Sequence, residues 1–96
     1  MAAYIVARIN VRDMAWREEY SPKAGALVRK HGGKVLAGFG NVMEHLEGDE
    51  LPSALVIIEF PSLEHAKAWY NDPEYAQMID LRQTGADTEI VLVDGR

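Results

Sequence analysis

The period at which apolar side chains recur changes along this chain, and each change marks an element. Between Tyr4 and Val11 the period is two: Ile5, Ala7, Ile9 and Val11 fall on one side, Tyr4, Val6, Arg8 and Asn10 on the other. That alternation predicts a strand with one apolar and one mixed face. From Trp16 the period lengthens, and Trp16, Tyr20, Ala24, Leu27, Val28 and His31 recur three or four apart until Gly32-Gly33. An amphipathic helix follows, with Asp13 as its cap and the glycines as its end. Pro22 lies within that stripe and predicts either a kink or a fresh start capped by Ser21.

Lys34 to Leu46 reads as a second strand, untidy because Gly38, Gly40 and Asn41 predict a bulge or bend. The polar turn Glu47 to Pro52 then leads into Ala54 to Phe60, a strand apolar on both faces, so a long hairpin is expected. Ser62 caps a short helix with Leu63, Ala66 and Tyr70 on one face, stopped at Asn71-Asp72-Pro73. Asp72 and Pro73 start another helix, about Glu74 to Thr84, with Tyr75, Met78 and Ile79 inward. Gly85 ends it, and Glu89 to Asp94 forms a closing strand.

Strand, helix, strand, strand, paired helices, strand is the split βαβ plan: a ferredoxin-like βαββαβ α+β domain over residues 1–96, with helices on one face of an antiparallel sheet. The other face carries Val6, Leu55 and Ile57. Covering about 600 Å² of apolar surface per protomer there would contribute on the order of 15 kcal/mol before association costs. A homodimer formed sheet to sheet is therefore expected.

Charge and composition narrow the partners. Ten basic against fifteen acidic side chains give a net charge of −5, the wrong sign for nucleic acid or an anionic membrane surface. The chain has no cysteine, which removes disulfides and thiolate sites and makes the cytoplasm the default compartment. The longest apolar run, Met1 to Ala7, is far short of the roughly 20 residues of a membrane span, and no basic segment precedes it as in a secretory signal. His31, His45 and His65 lack i, i+4 partners, so no metal is expected. Gly38-x-Gly40 has neither the third glycine nor the parallel setting of a dinucleotide site, and no organic cofactor is expected.

Candidate chemistry rests on a few polar side chains in apolar settings. Tyr75, Met78, Ile79 and Arg82 share one helix face, which puts a guanidinium on an apolar stripe. Such a charge needs a carboxylate, carbonyls or a bound anion, so Arg82 is a structural ion pair, a snorkelling stem with its head in water, or an anion anchor. Glu59 alternates with Leu55 and Ile57 onto the open sheet face, where a carboxylate serves as general acid or base, or else pairs with Arg8, Arg82 or a backbone donor at the helix start. Tyr4, Arg8, Asn10 and Glu59 would line a polar spot between paired sheets, with Trp69 and Tyr70 as an aromatic wall. The expectation is a small-molecule site in which Arg82 and Arg8 orient an acidic or carbonyl-bearing ligand and Glu59 moves a proton. The alternative is a non-catalytic binding or assembly module whose polar cluster is structural. Haem handling would require a histidine facing the pocket.

His31-Gly32-Gly33-Lys34-Val35-Leu36, Leu46-Glu47-Gly48, Val56-Ile57-Ile58-Glu59-Phe60-Pro61-Ser62, Ala66-Lys67-Ala68-Trp69-Tyr70, Pro73-Glu74-Tyr75 and Leu81-Arg82, in that order, resemble the family called domain of unknown function 1330. The resemblance implies a protomer of the dimeric α+β barrel superfamily, whose members include cofactor-independent monooxygenases, haem-handling enzymes and lactone isomerases. It implies no single activity, since one fold supports many chemistries. Relatives often carry a basic residue where this chain has Gly38-Phe39-Gly40 and an arginine where it has Ser53-Ala54.

Overall fold

A computed structural model describes residues 2–95; Met1, the first residue of the N-terminal apolar run, lies outside them. The elements are β1 (Ala3–Val11), α1 (Arg17–Lys30), β2 (Lys34–Ala37), β3 (Ala54–Phe60), α2 (Leu63–Tyr70), α3 (Pro73–Gln83) and β4 (Ala86–Asp94). The sheet order is β2-β3-β1-β4, and every pairing is antiparallel. Ala3, Ile5, Ala7 and Ile9 of β1 and Ala54, Ile58 and Phe60 of β3 are buried, so the alternation read from sequence selects the helix-covered face. The molecule measures 33 × 31 × 18 Å, the thin dimension being one sheet plus one helix layer.

Local chemistry accounts for most boundaries. Ser62 Oγ accepts the His65 N–H at 3.2 Å to cap α2, and Asp72 Oδ1 accepts the Glu74 N–H at 2.9 Å to cap α3, with Pro73 in its first turn. α1 ends in a Schellman arrangement, with Gly33 N–H on Val28 C=O (2.8 Å) and Gly32 N–H on Arg29 C=O (3.0 Å). Gly32 supplies the left-handed φ of 79° that this requires. Gly33 is needed for a different reason: a Cβ there would sit 2.6 Å from Phe60 Cε1.

Several sequence expectations need correction. α1 runs unbroken through Pro22, because the bond that proline forfeits belongs to the carbonyl of exposed Glu18, which water can serve. Asp13 Oδ1 accepts the Ala15 N–H at 2.8 Å and so caps the turn before the helix rather than the helix itself, which starts after Trp16. β2 stops at Ala37, and no long hairpin forms: Asn41 Oδ1 takes the Gly38 N–H at 2.7 Å, closing a turn where ladder bonds would continue, and residues 38–53 are irregular. β4 starts at Ala86, opposite Val11, three residues before the Glu89 expected. The buried face of α2 is Ala66 and Trp69, while Tyr70 stays 42% exposed.

One buried carboxylate joins two helices. Asp72 Oδ2 accepts from His31 Nε2 at 2.8 Å and from Lys30 Nζ at 3.0 Å, tying the end of α1 to the start of α3. The His31 bond, the Glu74 amide and the Lys30 bond together hold the Asp72 carboxyl down to about 2. A folded pKa below the unfolded one means stability that is present above the ordinary carboxylate range and fades as pH falls toward 2. Asp72→Ala is therefore expected to lower the melting temperature at pH 7, with the gap to wild type closing between pH 4 and pH 2. Melts followed by circular dichroism across that range check this, and a gap independent of pH contradicts it.

Candidate functional site

Where α1 and α3 cross the helix-covered face, small residues leave the layers apart. Ala7 on β1 and Ala24 and Gly25 on α1 lie in that gap, and the result is a cavity of about 330 Å³. Its walls are aliphatic and aromatic, with Ile5, Ile9, Val56 and Ile58 from the sheet and Trp69, Tyr75 and Phe39 around them. Among the described residues, no aspartate, glutamate or histidine lines it, in a chain that carries fifteen acidic residues.

The polar centre of this cavity is Arg82, only 4% exposed. Its Nη1 donates to the Tyr75 hydroxyl at 2.9 Å and more distantly to the Tyr20 hydroxyl at 3.4 Å. The two hydroxyls are 2.8 Å apart. Tyr75 and Arg82 stack two turns apart on α3, and Tyr20 reaches them from α1, its ring 6.4 Å from that of Tyr75. Arg82 Nε is buried and has no partner, and so is Trp69 Nε1. Trp69 packs on Tyr75 with ring centroids 4.3 Å apart.

Proton accounting fixes what this cluster offers. Two phenols carry two O–H protons, and the bond between them uses one; Arg82 fills acceptor sites and takes none. One phenolic O–H is left over, and of the five Arg82 N–H donors only those on Nη1 are spent on the phenols. Burial pushes the Tyr75 phenol far above its ordinary pKa, and the Tyr20 hydroxyl adds to this. Burial alone would lower the Arg82 pKa, but the Tyr75 and Tyr20 oxygens around it outweigh that and raise it. The cluster therefore holds a neutral Tyr75 phenol beside a full positive charge, with no carboxylate among the described residues lining the cavity.

The structure divides the residues expected to form one site. Trp69 and Arg82 line the helix-side cavity. Tyr4, Arg8, Asn10 and Glu59 lie on the opposite face, because each sits next in sequence to a residue of the buried face and successive strand side chains point to opposite sides. Arg8 and Arg82 thus do not converge on one ligand. Glu59 pairs with neither arginine: Tyr4 donates to its Oε2 at 3.0 Å, a bond that raises the Tyr4 pKa. Tyr70 lies outside the aromatic wall, and the expected ion pair of Arg82 is replaced by bonds to phenols. None of the three histidines lines the cavity; His31 bonds Asp72 and His65 Nδ1 bonds Ser62 Oγ.

Tyr20 and Tyr75 were legible as stripe residues but not as polar partners. The signal was a phenol at i with a guanidinium at i+7 on the same apolar face. Arg17 is a further cavity residue, three positions before Tyr20 on α1, and its guanidinium lies 4.2 Å over the Phe39 ring.

Solved structures share this architecture. The RPA0582 protein of unknown function from Rhodopseudomonas palustris superposes with a TM-score of 0.80 at 20% identity, covering 99% of this chain and 82% of that one. SnoaB, a cofactor-independent oxygenase from Streptomyces nogalater, matches with a TM-score of 0.64 at 13% identity, over 99% of this chain and 93% of its own. A dimeric protein of unknown function and ferredoxin-like fold from Bacteroides fragilis matches with a TM-score of 0.64 at 14% identity, over 98% of this chain and 96% of that one. At these identities the likeness establishes the ferredoxin-like fold. Among curated proteins, none matches the sequence. Among the described residues, no helix is long and apolar enough to cross a membrane. A family model matches residues 2–96, and the chain belongs to that family, Domain of unknown function (DUF1330).

Proposed function

We propose that this protein is a homodimer in which each protomer binds a small acidic or carbonyl-bearing organic compound in the helix-side cavity, its oxygen against Arg82 and the tyrosine pair. One observation carries this reading: a guanidinium 4% exposed, in an apolar cavity, with a free Nε–H and no carboxylate in reach. Leaving such a charge unneutralised costs several kcal/mol, roughly, and a ligand oxygen removes that cost. The same donors would stabilise negative charge developing on a carbonyl oxygen, as in enolate formation, which is how the site would act as a cofactor-independent enzyme. SnoaB, with the same fold, is such an oxygenase.

The alternative of a binding module without catalysis draws on another observation. No carboxylate or imidazole lines the cavity, so proton abstraction would have to start from a group the ligand itself brings.

The homodimer reading rests on the open sheet face. Val91 is 55% and Val93 46% exposed there, beside half-buried Val6, Leu55 and Ile57. The single chain exposes 6212 Å², about 700 Å² more than a monomer of its mass typically does. Tyr4, Glu59, Arg8 and Asn10 would form the polar part of that interface. Neighbours of the same fold are themselves dimeric.

Val91→Glu is expected to convert a two-chain particle to a folded single chain in sedimentation equilibrium, with an unchanged circular dichroism spectrum; a wild-type monomer at micromolar concentration refutes the dimer. Arg82→Met is expected to weaken binding of small carboxylates about tenfold or more in calorimetric titrations, the usual range for losing a charge-assisted hydrogen bond. Equal affinities in variant and wild type refute the anchoring role.

A further inference from the structure

Arg82 accounts for one end of a ligand, and the cavity has a second end with the same chemistry. Arg17 lines it near the start of α1, its guanidinium seated on the Phe39 ring and its Nε buried without a partner. No ion pair of Arg17 is found among the described residues. Asn41 lines the same cavity; its Oδ1 accepts the Gly38 N–H and its NH2 group adds donors. Tyr20 links the two ends: it lies three residues along α1 from Arg17, and its hydroxyl touches Arg82.

Both ends offer donors and positive charge, and the wall between them is apolar. A compound with a single acidic head would satisfy Arg82 and leave the buried Arg17 Nε–H without an acceptor. We propose that the cavity selects two-headed ligands, an apolar or aromatic body with an oxygen acceptor at each end, such as a dicarboxylate or an oxo acid, with Arg17 as the specificity-determining residue at the second end. At interior packing density the cavity has room for roughly a dozen non-hydrogen atoms, the size of a benzene ring carrying two such groups. The proposal rests on the reading of the cavity as a ligand site, and the test separates the two.

Three para-substituted benzoates of equal heavy-atom count serve as probes: terephthalate, 4-acetylbenzoate and 4-isopropylbenzoate, which carry an anionic, a neutral and no second acceptor. Calorimetric titration of the intact protein is expected to give affinities falling in that order, with terephthalate about tenfold or more above 4-isopropylbenzoate. Arg17→Met should abolish that preference while leaving 4-isopropylbenzoate within about twofold of its wild-type affinity. Arg17→Lys, which keeps the charge, should restore part of the preference, and melting temperatures of both variants verify folding. Arg82→Met should weaken all three probes. If the probes bind equally to wild type, or if Arg17→Met weakens 4-isopropylbenzoate as much as terephthalate, the second anchor is overturned while the ligand site stands. If no probe binds, both are overturned.

Discussion

A positive charge buried without a negative one shapes this molecule. Guanidinium groups enter protein interiors at a high desolvation cost, normally offset by a carboxylate. Arg82 instead meets the oxygens of two phenols, one on its own helix and one on α1. That choice ties α3 to α1 above the sheet and leaves a donor unspent. A carboxylate in the same place would have closed the site electrostatically. Its absence leaves the Arg82 Nε–H without an acceptor, in a chain with a net charge of −5.

The sheet separates this cavity from association. Strand alternation sends Ile5, Ala7 and Ile9 to the cavity and Tyr4, Val6, Arg8 and Asn10 to the open face, so the two surfaces change independently through neighbouring residues of one strand. Association through the open face would bury β1 and β3 on both sides, in keeping with the unbroken apolar run Ala54 to Ile58. The floor of each cavity would then be backed by a second sheet and not by water.

Much of this was legible in the sequence because it is periodic or local. The strand faces, the Ser62 and Asp72 caps and the Gly32-Gly33 stop each follow from residues within one turn of one another. The stripe Tyr75, Met78, Ile79 and Arg82 correctly identified a guanidinium on an apolar face. What the pattern did not contain was which side of the sheet α3 covers relative to Arg8. The pattern alone puts Arg82 and Glu59 in one pocket although the sheet stands between them, because periodicity ranks positions on one element and carries no information across elements. The truncation of β2 had a similar cause: Asn41 competes for a backbone donor through its side chain, a contact that composition signals only as turn propensity. Arg17 was missed because its partner, Phe39, comes from an irregular segment with no period to read.

The most direct test is a high-resolution crystal structure of protein purified from cells without exhaustive dialysis. An oxygen acceptor of a bound small molecule within hydrogen-bond distance of Arg82 Nε, inside the helix-side cavity, is the predicted result. A cavity collapsed onto its own side chains, with Arg82 Nε satisfied by a protein carbonyl or carboxylate, would contradict the account.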